Sequence, residues 1–158
     1  MTSIVLLLQL AVSTPTPITL PRPFLAAISV ASVERSAEWY QRNLGFRIVR
    51  APSTPRPGIG SALLGLDGFY LEIASLADSK PRASVLPIPG SNGSLQGVYK
   101  LAFWVSDFDA TLAALAVAGV ALYRPEGVDS TMAGGVRYVL IRDPDETVIQ
   151  IFGALKGR

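Results

Sequence analysis

The feature that most constrains this chain is an order of elements that occurs twice. A short apolar strand is followed by a helical stretch and three more strand-like segments, and after a region rich in Pro, Gly and Ser the same β-α-β-β-β order returns. We therefore predict an α+β fold in which two βαβββ modules, residues 23–76 and 97–154, are joined by a linker over 77–96. Together they form a single domain over 23–158, preceded by an extension over 1–22.

Local signals support the first module. Ser32 is a candidate N-cap for the helix VERSAEWYQRNL, and Gly45 is a candidate C-terminal stop. The dipeptide Asp67-Gly68, between GIGSALLGL and FYLEIAS, favours a tight hairpin turn because such turns need positive φ. The sequence thus predicts a hairpin at the end of this module.

Composition excludes several kinds of chemistry. The chain has no cysteine and no histidine, which rules out disulfides, thiolate sites and serine–histidine hydrolysis. The net charge is only +2 and the arginines are scattered, so we expect no nucleic-acid partner. Hydrophobic residues make up 49% of the sequence, which is ample for a core.

The extension over 1–22 starts with the apolar run MTSIVLLLQLAV and continues into a proline-rich connector. The run is shorter than the ~20 residues of a membrane-spanning helix, and no Lys or Arg precedes Arg22 to form the basic region of a signal peptide. We expect this segment to pack on the domain or on a partner subunit, and we expect a cytoplasmic protein with no membrane span. Export through an atypical N-terminal signal is the alternative.

Three segments in the right order carry a resemblance to a known superfamily. WYQRNLGFRIV at the end of the first helix, FYLEI on a strand, and IRDPDETVIQIF near the C-terminus resemble the vicinal oxygen chelate superfamily. This superfamily includes glyoxalase I, bleomycin-resistance proteins and extradiol dioxygenases. The resemblance covers residues 24–153 and implies that two βαβββ modules curl into an incomplete barrel around one cavity. The fold hosts many chemistries, so it does not define one function.

The resemblance also implies which residues line that cavity. Metal-using members place four ligands on the first and last strands of the two modules. In this chain those positions are Leu25, Glu72, Lys100 and Gln150. Leucine has no donor atom and a lysine ammonium repels a cation, so we predict no metal and no other cofactor.

Lys100 and Glu72 are the candidate catalytic residues. In one interpretation they form a structural ion pair that fills an obsolete metal site. In another, Lys100 anchors a carboxylate, phosphate or enolate oxygen while Glu72 moves a proton. A strand register slipped by one residue would instead turn Lys100 to solvent.

Further ligand-binding candidates lie on the same strands. The aromatic candidates are Tyr70, Phe103 and Trp104, with core packing as the alternative for each, and Trp104 would suit the stacking of a flat ligand. Of Arg137 and Tyr138, neighbours on one strand, we expect one to face the cavity, and Arg137 would suit an anion.

These observations predict a metal-independent protein that binds a hydrophobic, aromatic or carboxylate-bearing small molecule. Whether it also catalyses a proton-transfer reaction of the lyase, isomerase or cyclase type stays open. The alternatives are a drug-sequestering protein of the bleomycin-resistance type and a metal-dependent enzyme of the glyoxalase or dioxygenase type. Exposed sheet edges and the habit of the superfamily predict a homodimer.

Overall fold

The computed structural model describes residues 24–85, 97–132 and 134–155, apart from the side chains of residues 82 and 83. The predicted extension over 1–22 and much of the predicted linker lie outside these residues. The first half contains β1 (Leu25–Ser29), α1 (Val33–Leu44), β2 (Arg47–Arg56), β3 (Ile59–Leu66), β4 (Phe69–Leu76) and the single turn α2 (Arg82–Val85). The second half contains β5 (Leu101–Trp104), α3 (Phe108–Val117), β6 (Leu122–Asp129), β7 (Val136–Arg142) and β8 (Val148–Ala154).

The strands form two four-stranded sheets with the same topology. Sheet 1 has the order β1-β4-β3-β2 and sheet 2 has the order β5-β8-β7-β6. In each sheet the first strand pairs in parallel with the last, and the other pairs are antiparallel. The α+β class and the two βαβββ modules are thereby confirmed, and the two sheets are not closed into a barrel.

The local signals act as the sequence predicts. The Ser32 side chain accepts a hydrogen bond from the Arg35 backbone N–H at 3.2 Å, and Gly45 adopts the left-handed conformation at φ 73°. The β3–β4 hairpin turns through Asp67 and Gly68, whose φ angles are 46° and 81°. The turn chemistry therefore fixes the ends of α1 and of this hairpin.

One strand is shorter than the sequence suggests. The apolar segment VYKLAFWV predicts a strand over 98–105, but β5 covers only Leu101–Trp104. The reason lies in the register, because Leu101 pairs with Ile149 and β8 begins one residue earlier at Val148. Residues 98–100 therefore lie at or beyond the start of β8, which leaves them almost no backbone groups of that strand for hydrogen bonds.

Each sheet has one face that packs against its helix and an opposite face. On β4, Leu71 and Ile73 are fully buried and face the core, whereas Tyr70 and Glu72 alternate to the other face. Helix α1 packs against β2, β3 and β4, and α3 packs against β8. The face of each sheet opposite its helix is called the open face below.

The modules meet at a junction on the helix side. The ring of Phe103 on β5 lies 5.8 Å from that of Phe46 and 6.0 Å from that of Phe69. The apolar core is therefore continuous between the modules.

Buried polar groups reinforce this junction at the β7–β8 turn. The Tyr40 hydroxyl donates to Asp143 at 2.9 Å, and Asp143 also accepts from the backbone N–H groups of Asp145 and Thr147. Burial raises the pKa of the Asp143 carboxyl, and burial together with the charge of Asp143 raises the pKa of the Tyr40 phenol.

Asp145 completes this contact with α1. It accepts hydrogen bonds from the Ala31 backbone N–H at 3.0 Å, from Arg35 at 2.8 Å and from the Ser36 hydroxyl at 3.0 Å. The segment DPDET is thus a hairpin turn between β7 and β8, and it also joins the two modules.

Within the described ranges, none of the helices is both long enough and apolar enough to cross a membrane.

Candidate functional site

The open face of sheet 1 carries two of the four positions that the resemblance singles out. On β1, Leu25 lies opposite Tyr70 of β4, and Ala27 lies opposite Glu72. Alternation along the strands puts these four side chains on one face. Leu25 is 42% exposed, so this face presents apolar surface beside a carboxylate.

Glu72 has a partner that sequence reasoning missed. Its Oε1 atom accepts from Nη2 of Arg50 on β2 at 3.4 Å. Both side chains are substantially exposed, so water screens this ion pair. The register was the available signal, because Arg50 pairs with Leu63 and Leu63 pairs with Glu72, which puts all three on one face.

The open face of sheet 2 carries the other two positions. Lys100 lies just before β5, and its Nζ atom donates to Oε1 of Gln150 on β8. Gln150 is 5% exposed and pairs in the ladder with Ala102. Ala102 pairs with Gln150 in the same way that Ala27 pairs with Glu72. Lys100 and Leu25 each lie two residues before these alanines, so they occupy equivalent places in the two modules.

Aromatic side chains share this face of sheet 2 with the Lys100–Gln150 pair. Trp104 pairs with Phe152, and Tyr138 also pairs with Phe152, so all three rings lie on the same face as Gln150. The Tyr138 and Phe152 ring centroids are 6.1 Å apart. Trp104 is 58% exposed, which leaves apolar ring surface open.

A glycine lets the Tyr138 ring lie over the neighbouring strand. Gly127 of β6 pairs with Tyr138, and a Cβ atom at position 127 would lie 2.6 Å from the Tyr138 ring. No side chain larger than hydrogen fits there unless the ring moves. The Tyr138 ring therefore lies directly over the backbone of β6 on the open face of sheet 2.

Charged and aromatic neighbours also lie near Lys100. Its ammonium is 5.7 Å from the Tyr99 ring centroid. Hydrogen bonds from Thr131 lower the pKa of the Asp129 carboxyl, with a smaller contribution from the charge of Lys100. Asp129, at the end of β6, is a second polar neighbour that the sequence did not indicate.

Arg137 lies on the opposite side of sheet 2 from Tyr138. Its guanidinium contacts Glu126 at 2.6 Å and Asp109 of α3 at 2.9 Å, and it lies 4.5 Å from the Phe108 ring centroid. The hydrogen bond with Glu126, followed by the one with Asp109, raises the pKa of Arg137. This arginine ties β7 to α3 and does not point towards the open face.

The structure also separates other residues that the sequence grouped together. Phe103 packs into the junction, while Tyr70 contacts Phe24 on sheet 1 with ring centroids 5.1 Å apart. Among the described residues Glu72 forms no ion pair with Lys100, because each has its own partner within its sheet. The structural ion pair, which was one interpretation of these two residues, does not form in this structure.

The superfamily implies a metal at these four positions, but the residues present do not fit one. Leu25 has no atom that can coordinate a metal, and the amide oxygen of Gln150 accepts a hydrogen bond from the Lys100 ammonium. Glu72 is left as the one anionic ligand, and its carboxylate contacts Arg50. Within the described part of the chain, no three His, Cys, Asp or Glu side chains come together in a way that could hold a metal ion.

The comparisons with known proteins agree with this fold. The model of the glyoxalase/bleomycin resistance protein/dioxygenase superfamily matches residues 23–151. No curated protein matches the sequence.

Solved structures share the fold at low sequence identity. A glyoxalase family protein from Enterococcus faecalis has a TM-score of 0.70 and 22% identity, over 85% of this chain and 99% of its own. A glyoxalase/dioxygenase from Nostoc punctiforme has a TM-score of 0.67 and 20% identity, over 91% and 98% of the two chains.

These structures support the fold alone, whereas the family model matches most of the chain and carries the assignment. The resemblance found in the sequence is thereby confirmed: this chain belongs to the glyoxalase/bleomycin resistance protein/dioxygenase superfamily.

Proposed function

We propose that this protein binds a small organic anion with a flat apolar body on the open face of sheet 2, without a metal. The observation that carries the proposal is the Lys100–Gln150 pair, which places an ammonium on the same face of sheet 2 as the exposed ring of Trp104. A carboxylate on an aromatic body matches both features.

Gln150 acts as a positioning residue in this proposal. A lysine ammonium has three N–H donors, and the Gln150 oxygen accepts one of them. The other two are available to a ligand oxygen, and the burial of Gln150 limits the movement of the pair. Lys100 then replaces the positive charge that a metal ion supplies in other members of the superfamily.

We propose further that a second copy of this chain covers the open faces. Leu25 and Trp104 are about half exposed on faces that no described helix covers. A cavity that buries most of a small ligand needs a second wall. Size-exclusion chromatography with light scattering tests this point, and a monomer that is unchanged by ligand would contradict it.

A proton-transfer reaction is the catalytic form of this proposal, with Glu72 as the base. Glu72 lies on the open face of the other module, so it reaches a ligand held by Lys100 only if the two faces meet around it. A Glu72→Gln variant separates the two forms, since an enzyme loses turnover by roughly 10²-fold or more whereas a binding protein keeps its affinity.

Calorimetric titration with 1-naphthoate tests the anion site, and the neutral 1-naphthalenemethanol serves as the ligand control. We expect Lys100→Met to weaken naphthoate binding about tenfold, because a charge-assisted hydrogen bond is lost. Lys80→Met is the matched protein control, since Lys80 is also exposed. Equal affinities for the acid and the alcohol, or unchanged binding by Lys100→Met, would contradict the proposal.

A further inference from the structure

A further concave region lies on the helix side, and Trp104 of β5 contributes to its lining. It is a groove of about 500 Å³ where the end of α1, the β3–β4 turn, β5 and the first turns of α3 meet. We call it the module groove, because both modules contribute to it. Its floor is apolar and includes Leu44, Leu66 and Phe103.

The polar side chains of the module groove are two carboxylates, two hydroxyls, the Asn43 amide and the Trp104 indole. Asp67 and Asp107 lie at its rim, and the wall includes Asn43. No Lys or Arg is among the described residues that line it. The groove is therefore negative, although the chain as a whole has a net charge of +2.

Two of these side chains have acceptor oxygens that receive no hydrogen bond from the described residues. Within the described residues the Asp67 carboxylate has no hydrogen bond or ion pair. The Asn43 side-chain N–H₂ group donates to the Trp39 carbonyl at 3.0 Å, but its Oδ1 atom is buried without a donor. A buried acceptor without a partner is uncommon in folded proteins and calls for an explanation.

We infer that the module groove binds an organic cation, namely an ammonium group on a small aromatic or branched apolar body. The apolar floor takes the body, and the ammonium lies at the rim beside Asp67 and Asp107. This site is opposite in charge to the anion site on sheet 2, although Trp104 contributes to both.

Three probes of one shape test this inference: 2-phenylethylamine, 2-phenylethanol and phenylacetate. Each is titrated into the ¹⁵N-labelled full chain while the backbone amide shifts are followed. The amine should move the amides of the β3–β4 turn and of the first turn of α3. It should bind there about fivefold more tightly than the alcohol, since exposed ion pairs are modest in strength.

The variants make the test specific to the groove. Asp67→Asn removes the charge but keeps the turn, because asparagine tolerates positive φ there, and it should abolish the preference for the amine. Ala110→Leu fills the groove from the exposed face of α3 and should abolish binding of the amine. Asp78→Asn removes an exposed acid elsewhere and should change nothing.

Several results would overturn the inference. Equal affinity of the amine and the alcohol in the groove would do so, as would an unchanged preference in Asp67→Asn or amine-induced shifts confined to the open faces. Phenylacetate provides a separate reading of the anion site, because it should move amides around Ala102 and Gln150. Failure at one site can therefore be distinguished from failure at the other.

Discussion

The junction between the modules and the open faces of the sheets use polar groups in opposite ways. At the junction, Asp143 is 5% exposed and accepts three hydrogen bonds from Tyr40 and two backbone N–H groups. On the open face of sheet 1, Glu72 is substantially exposed and contacts Arg50 at 3.4 Å. The first arrangement leaves no capacity for a ligand, whereas the second keeps its groups available.

This difference separates stability from function. A buried acceptor with several donors is costly to disturb, because each group loses its partner without gaining water. A solvated ion pair contributes little to folding and can be rearranged by a ligand. We therefore expect the junction to fix the placement of the two modules, in keeping with the proposal that an anionic ligand binds on an open face.

The largest effect should come from removing the central acceptor of the junction. Asp143→Ala leaves the Tyr40 hydroxyl and two backbone N–H groups without a partner, so we expect a loss of about 3 kcal/mol in the free energy of unfolding. Urea denaturation measures it. Asp143→Asn is the control, because its amide oxygen can still accept, and a loss as large as that of Asp143→Ala would contradict this reading.

A smaller loss should follow from removing one donor. Tyr40→Phe keeps the ring, whose centroid lies 5.6 Å from that of Phe46, but leaves one carboxylate oxygen of Asp143 without its hydroxyl donor. We expect a loss of about 1–2 kcal/mol in the free energy of unfolding, measured in the same way. If Tyr40→Phe proved as stable as the parent protein, the hydrogen bond would have no net role at the junction.

The junction should also make stability depend on pH in a specific direction. The folded pKa of Asp143 is raised above its ordinary value of 3.8, so the folded state binds the proton more tightly than the unfolded state. This contribution is fully favourable below both pKa values, and it is lost as the pH rises from 3.8 through the raised folded pKa. Denaturation from pH 3 to 7 should show this decline, and it should be absent in Asp143→Asn.

The smallest effect is expected on the open face of sheet 1. Glu72→Gln and Arg50→Gln should each change the free energy of unfolding by less than about 0.5 kcal/mol, since the pair is solvated. A double-mutant cycle measures the coupling between the two positions. A coupling above about 2 kcal/mol would place this pair with the junction, because exposed pairs rarely reach that size.

Much of the fold was accessible from the sequence because its signals are local. The helix cap at Ser32, the stop at Gly45 and the Asp67-Gly68 turn each depend on neighbouring residues, and each forms as predicted. The duplicated order then predicts the two modules. The end of β5 was harder, because it depends on where its partner β8 begins.

The pairing of side chains was not accessible in the same way. One interpretation paired Glu72 with Lys100, but the register across three strands brings Arg50 to Glu72. For Arg137 and Tyr138 the alternation predicts opposite faces but not which face carries the helix. That choice depends on how α3 packs, through Asp109 and Phe108.

The central claim is that Lys100, and not a metal ion, supplies the positive charge at this site. The most direct test is the metal content of untagged protein purified without chelators, measured by mass spectrometry. The account predicts far less than one divalent ion per chain, because the positions offer one anionic ligand. One ion per chain, lost in Glu72→Gln and retained in Lys100→Met, would contradict it.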